Sequence, residues 1–323
     1  MRVVKVTGFG GPEVLVPGEA PDPVAGPGQV VVEVSVAGVT FVETQIRRGV
    51  DRWHDRPALP YVPGGTVAGR VASAGEGVDP GWSGRRVIAD VGESGGFAER
   101  AVAVVENLIP VPEGLGLPEA VALHTDGSTA SGLVEGARIR PGEWVLVEAA
   151  GGGVGSLLVQ LARAAGARVV GAARGARKLD LVRGLGAEAV VDYSEPGWTD
   201  RVREATDGAG PDVVFDGVGG EIGRAAFEVT ADDGRFSVHG ASSGEVTAID
   251  PVRARRHGVE VIGIDQLFGF GPKMRHWAER VMSEAVAGRI RPVIGQTFPL
   301  ERAADAHAAI ESRSALGKTL LLI

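Results

Sequence analysis

The first chemical signal in this chain is a cluster of glycines. Ala150-Gly151-Gly152-Gly153-Val154-Gly155 follows an apolar run that begins at Trp144 and leads into a segment of helical period. The cluster fits A-x-G-x-x-G, with Ala150 in the first glycine place of the dinucleotide-binding fingerprint. In that pattern Gly152 lets the main chain approach a diphosphate, and Gly155 lets the helix pack closely on the strand. Gly153 and Val154 then sit at the start of a helix whose free N–H groups and positive dipole end favour an anion. The second apolar run of the unit ends in "GAARGARK", with no acid before Asp180. An NAD-binding unit places an Asp or Glu there to hold the adenosine ribose. Arg174, Arg177 and Lys178 gather there instead, and cationic donors suit a 2′-phosphate. Cations at a helix start also oppose its dipole unless an anion is bound. The expected cofactor is therefore NADPH, with Arg174 and Lys178 on its extra phosphate. Tyr193 ends "AEAVVDY", where it can pack on an adenine or serve as a plain strand-end aromatic.

The elements that must hold these residues follow from periodicity. Val154, Leu157, Leu158, Leu161, Ala162 and Ala165 share one helix face. Six apolar strands are expected, "WVLVEAA", "ARVVGAA", "AEAVVDY", "PDVVFDGVG", "GRFSVHGA" and "GVEVIGI", with helical segments between the first four. That alternation predicts an α/β fold, a doubly wound Rossmann sheet with helices on both faces. Residues up to about 118 read instead as β-rich, with "QVVVEVSVAGV", "GTVAGRVASAG" and "GRRVIADV" separated by Gly and Pro. A longer amphipathic segment, "PKMRHWAERVMSEAVAGRI", precedes a tail expected to add one helix and a final strand to the β-rich part. The expected division is a β-rich domain of residues 1–119 and 267–323 around a nucleotide-binding domain of 120–266.

Bulk properties bound the rest. The 323 residues carry a net charge of −8, with 44% hydrophobic and 23% charged residues, as in an ordinary globular protein. No basic block suggests a nucleic-acid partner. "MRVVKVTGFGG" holds too short an apolar stretch for a signal peptide, and no run approaches a membrane span, so the cytoplasm is expected. With no cysteine, disulfides, thiolate catalysis and cysteine-ligated zinc are excluded. The six histidines are scattered singly, and no metal is expected.

The ordered set "GVTFVETQIRRG", "LPYVPGGTVAGRV", "VLVEAAGGGVGSLLVQLA", "VVDYSEPGW", "DVVFDGVGG", "VHGASSG" and "ESRSALGKTLLL" resembles the zinc-independent quinone oxidoreductase branch of the medium-chain dehydrogenase/reductase superfamily. The resemblance spans essentially the whole chain. It implies a GroES-like β-rich domain built from both chain ends, a Rossmann domain between them, and an active site in the cleft they form. It also implies a homodimer joined through Rossmann sheet edges, with "GVEVIGI" as the edge strand. Zinc alcohol dehydrogenases of the superfamily place a ligand Cys where this chain has Thr40, and a His and Glu where it has Gly65 and Thr66. Zinc-alkoxide chemistry is therefore not expected.

The resemblance implies hydride transfer from NADPH to a quinone or another α,β-unsaturated carbonyl compound. By motif, Phe41, Val42 and the residues up to Gln45 would flank the nicotinamide, with Thr129 close by. Val218 and His239, Gly240, Ala241 and Ser242 would line the same end, and Lys318 would reach back from the tail. Charge developing on the acceptor oxygen calls for hydrogen-bond donors. Thr40, Gln45 and Tyr61 are the candidates, although relatives often carry Asn at Thr40 and Tyr at Gln45. Tyr61 has an alternative reading as a packed turn aromatic, Arg47 and Arg48 read as a solvated face, and Asp126 as a helix cap. Two other functions stay open: an enoyl reductase acting on a thioester or polyketide-like enone, and an NADPH-binding protein with little turnover.

Overall fold

The structure is a computed structural model that describes residues 1–323. It divides into two compact units, Met1–Thr125 with Met282–Ile323, and Asp126–Val281. The chain passes from one unit to the other within two helices, α2 (Leu117–Ala137) and α8 (Gly271–Val286).

The first unit is β-rich. Its N-terminal part runs β1 (Arg2–Val6), β2 (Leu15–Glu19), β3 (Gln29–Val39), α1 (Phe41–Arg48), β4 (Thr66–Ala74), β5 (Arg86–Asp90), β6 (Arg100–Val104) and β7 (Leu108–Pro110). The chain end returns as β14 (Ile294–Pro299), α9 (Ala303–Glu311) and β15 (Lys318–Leu322). The sheet order is β14-β15-β3-β4-β5-β7, with β6 also paired to β3. The tail thus rejoins the N-terminal part, β15 running antiparallel to β3. It brings two strands rather than the one expected. Only half of each β14 side chain set is shielded, so "IGQTFP" lacks the apolar run that marks β15. The core of this unit is alternating strand residues such as Val30, Val32 and Val34, packed with Phe97, Leu108 and Leu300.

The second unit is the doubly wound sheet. Its strands are β8 (Trp144–Val147), β9 (Arg168–Ala173), β10 (Ala189–Asp192), β11 (Val213–Asp216), β12 (Arg235–Val238) and β13 (Glu260–Ile262). Its remaining helices are α3 (Gly153–Ala164), α4 (Ala176–Gly184), α5 (Trp198–Ala205), α6 (Gly220–Glu228) and α7 (Pro251–Arg256). All pairings are parallel, in the order β10-β9-β8-β11-β12-β13. This is the Rossmann order, with the strand direction of travel reversing beside β8. β8, β11 and β12 are fully buried; β8 is wholly apolar, whereas β11 ends in Asp216 and β12 buries Arg235 and Ser237 among apolar residues. On α3, Leu157, Leu158 and Ala162 are buried as the helical pattern requires. No helix of the chain is long and apolar enough to cross a membrane.

Candidate functional site

In open parallel sheets, ligands bind at the carboxyl ends of the strands where the order reverses. Here that place is the turn from β8 into α3. The turn is tight: Gly152 N–H donates to Ala149 O at 2.8 Å, and Ala149 takes a left-handed φ of 48°. Gly152 caps α3 in extended conformation, and no side chain satisfies the first amides of the helix. A β-carbon on Gly155 would lie 2.3 Å from Ala149 O, so only glycine permits this closeness of helix to strand. A β-carbon on Gly153 would lie 2.0 Å from the Asp126 carboxylate. Asp126 is in the middle of α2 and not at its end, which corrects the reading of it as a cap. The turn therefore offers a diphosphate backbone amides at a helix N-terminus, with the Asp126 carboxylate beside Gly153 as the one nearby negative side chain.

Lys178 lies against this turn. A β-carbon on Gly151 would meet its Cβ, Cγ and Cδ at 3.0–3.2 Å, so the lysine stem crosses the glycine. Arg174 is exposed just after β9 and Arg177 is exposed in the first turn of α4, and Gly175 between them takes the positive φ of 85° that starts the helix. The acid nearest them is Asp192, at the end of β10. Its carboxylate accepts from Gly175 N at 2.7 Å and Ser194 N at 2.9 Å. Against the cost of partial burial, the Ser194 and Gly175 donors and the charge of Arg174 hold the Asp192 carboxyl below the usual range. Tyr193 is half-buried against the core of this unit.

Further along the sheet, the loops after β11 and β12 are stacked on each other. Ser243 N–H donates to Val218 O at 2.8 Å, and a β-carbon on Gly240 would lie 2.7 Å from Gly217 O. Val218, His239, Gly240, Ala241 and Ser242 are thus brought together, with His239 lying over Gly217. Burial pushes the His239 imidazole down to about 4, against the pull of Asp216, and the ring is neutral. Thr129 stands half-buried on α2, one turn beyond Asp126.

In the β-rich unit, Thr40 caps α1 through a reciprocal pair. Glu43 N–H donates to Thr40 Oγ1 at 3.3 Å, and Thr40 N–H donates to Glu43 Oε2 at 2.7 Å. The Thr40 hydroxyl also faces the Glu43 carboxyl and helps to hold it down. Gln45 Nε2 donates to Thr44 Oγ1 at 2.9 Å, which engages one of its two amide hydrogens. Burial raises the Glu43 carboxyl, opposed by the Thr40 N–H and the charge of Lys318. Lys318 is itself only 4% exposed. Phe41 and Val42 open α1, and Phe41 lies under the Arg313 guanidinium. Tyr61 bonds through its backbone to Val6 and packs on the core. Burial and the charge of Glu43 push its hydroxyl up to about 12, despite Arg47.

Arg47 is not on a solvated face. It is fully buried, and its guanidinium pairs with Glu311 of α9. The 3.6-residue period explains the correction, because Thr44 and Arg47 share the face of α1 that turns inward. His307 is buried nearby, and burial and the Arg47 charge push it down to about 3. Arg47→Met keeps the stem and deletes the charge. Because Glu311 keeps 21% of its side chain exposed it can rehydrate, so the expected loss is about 2–4 kcal/mol in denaturant unfolding, somewhat below that for a fully buried pair.

No group of three His, Asp or Glu side chains is placed to hold a metal ion. Position 65 is closed to any side chain, since a β-carbon there would lie 2.7 Å from Gly92 O. The carboxyl pair Glu148 and Asp216, behind the His239 loop, was not signalled by the sequence. Each is an ordinary residue at a strand end, and only sheet pairing sets them side by side.

Comparison with known proteins agrees with this geometry. The alcohol dehydrogenase GroES-like domain family matches residues 26–113, and the zinc-binding dehydrogenase family matches residues 153–281. The chain is 34% identical to a quinone oxidoreductase of Rattus norvegicus, across 100% of this chain and 98% of the relative. It is 32% identical to a 2-haloacrylate reductase of Burkholderia, across 97% and 96%. Among solved structures, an Escherichia coli quinone oxidoreductase complexed with NADPH superimposes with a TM-score of 0.91 at 28% identity, covering 100% of both chains. The chain belongs to the quinone oxidoreductase branch of the medium-chain dehydrogenase/reductase superfamily, oxidoreductases that join a GroES-like domain to a Rossmann domain.

Proposed function

We propose that this chain is an NADPH-dependent reductase that delivers hydride to a quinone or another α,β-unsaturated carbonyl acceptor. The observation that carries the reading is the N-terminus of α3, which opens on Gly152 with no side-chain cap, with the Lys178 stem lying across Gly151. The E. coli relative of the same fold, complexed with NADPH, supports it.

Bound NADPH supplies the hydride, and the protein supplies position and electrostatics. In this reading the amides of Gly153, Val154 and Gly155 take the diphosphate, and Arg174 and Lys178 take the 2′-phosphate. Tyr193 packs on the adenine. Val218, the residues His239 to Ser242, Phe41, Val42, Thr129 and Lys318 bound the nicotinamide. Reduction of a quinone or enone leaves negative charge on oxygen, which the free Gln45 amide hydrogen is suited to meet, with Thr40, whose hydroxyl faces the Glu43 carboxyl, as a second candidate. Tyr61 stays neutral as a third donor. We also read β13, at the edge of the Rossmann sheet, as the strand through which two copies join.

The likeness to a 2-haloacrylate reductase favours a second reading, an alkene activated by a carboxylate. One assay separates these. NADPH oxidation is followed with 1,4-benzoquinone, 9,10-phenanthrenequinone, a small enone, a 2-haloacrylate and a crotonyl thioester. Fastest turnover on a quinone or simple enone supports the first reading, and preference for the haloacrylate supports the second. NADPH binding without oxidation by any acceptor would leave a binding protein. Because no donor set for a metal is gathered, activity should survive EDTA; loss that zinc restores would overturn the metal-free mechanism.

A further inference from the structure

We propose that Glu148 and Asp216 share a single proton, with Glu148 as the neutral acid, and that this pair clamps the loop of residues 216–219 at the nicotinamide end of the site. The protonation stands on this chain's geometry, and the functional half rests on the cofactor reading above.

β8 and β11 are adjacent and parallel, with Val147 opposite Phe215. The next residues of each strand, Glu148 and Asp216, therefore emerge side by side, and Glu148 N–H donates to Phe215 O at 3.0 Å. Both side chains are 0% exposed. Their surroundings differ sharply. Asp216 Oδ1 accepts from Val218 N at 3.0 Å and Gly219 N at 2.7 Å, and Oδ2 accepts from Thr247 O–H at 2.5 Å. Those three donors stabilise a charge on Asp216. Neither Glu148 oxygen has a hydrogen-bond partner. Two carboxylates side by side in a buried site do not both ionise. Burial, then the charge of Asp216, pushes the Glu148 carboxyl well up, opposed only by the nearby Val218 N–H. The other titratable group facing Asp216 is His239, which burial keeps neutral, so it brings no compensating cation. The proton therefore stays on Glu148, whose O–H is free to donate to Asp216.

The clamp follows from what Asp216 holds. Its side chain fixes the Val218 and Gly219 amides, and its main-chain O accepts from His239 N at 2.8 Å. Both loops assigned to the nicotinamide end thus hang on this one carboxylate. Ionising Glu148 places a like charge against it. The sign is that of a raised folded-state pKa: the stabilisation is complete below the ordinary carboxylate range and is lost as pH climbs through the folded value.

The test needs no nucleotide in its first two parts. Difference infrared spectra of wild type against Glu148→Gln should show, above the ordinary carboxylate range, a neutral-carboxyl C=O band that the variant lacks and that fades as pH rises further. Absence of that band overturns the shared proton. Thermal unfolding of the wild type should weaken as pH rises above the ordinary carboxylate range, while Glu148→Gln lacks that loss; parallel curves would overturn the assignment. Glu148→Leu serves the same comparisons if the glutamine variant does not fold. In the third part, the wild-type dissociation constant for NADPH should rise about tenfold or more over the pH range in which the infrared band fades, against less than about threefold in the variant. Equal rises, with the band present, would remove the clamp and leave the proton. Failure of both proteins to bind NADPH at any pH would instead count against the cofactor reading, and the infrared band would still decide the protonation.

Discussion

Replacing Arg174 and Lys178 together by alanine should cut kcat/KM with NADPH by about two orders of magnitude or more and leave kcat/KM with NADH within a few-fold. A charge-assisted hydrogen bond contributes about 1.5–3 kcal/mol, so two lost bonds correspond to roughly 3–6 kcal/mol. Arg174 is exposed, and solvent screens its share, which favours the lower end of that range. At 1.4 kcal/mol per tenfold, about 100-fold is then a floor for the pair. Lys178 should dominate, because its stem is held against Gly151 while Arg174 is oriented mainly by the charge of Asp192. The measurement is steady-state kinetics with both cofactors and one acceptor. Equal losses with NADPH and NADH would mean that these cations hold the protein together or the diphosphate, and not a 2′-phosphate.

How far the sequence reveals this site depends on the range over which each interaction acts. The glycine turn is legible because its causes are local. The apolar run of β8, the closeness demanded at Gly155 and the buried stripe of α3 all lie within about twenty residues, and the absence of an acid before Asp180 is read off the strand and helix that come next. The six strands of the Rossmann sheet are legible for a related reason. Parallel strands shielded on both faces read as largely apolar runs, as in Trp144–Val147 and the first three residues of Val213–Asp216. The returning strand β14 is half-exposed and lies at the edge of its sheet, so nothing in its composition announces it. Arg47 misleads because an arginine late in a helix is ordinarily solvated and suits the dipole. Its partner Glu311 lies on a helix near the other chain end, and only the fold brings them together. Glu148 and Asp216 show the same limit, since each is unexceptional until β8 and β11 become neighbours. Local backbone chemistry can thus be read from one dimension, while buried charge pairs cannot, because their defining quantity is a distance across the sheet.

The glycines of the turn differ in what surrounds them, and this sets the second large effect. Gly155→Ala should weaken NADPH binding by about 100-fold or more and lower unfolding stability by about 1–3 kcal/mol, the usual range for an overpacked site. The added methyl would lie 2.3 Å from Ala149 O and 2.9 Å from Ala150 Cα, both backbone atoms. Those atoms cannot yield easily, because Ala149 O accepts from Gly152 N at 2.8 Å and Ala150 N–H donates to Ala172 O at 3.0 Å. The helix must move off the strand instead, and its N-terminal amides move with it. A displacement of about 1 Å at such a site is enough to cost about 100-fold. Gly151→Ala is the internal comparison. Its methyl would meet only the Lys178 stem at 3.0–3.2 Å, and a flexible stem can swing aside. The expected cost there is a few-fold in NADPH affinity, with NADH binding little changed. Calorimetry on both variants decides the matter. If the two alanines were equally harmful, or Gly155→Ala bound NADPH as the wild type does, close approach of helix to strand would not be what makes this turn a nucleotide site.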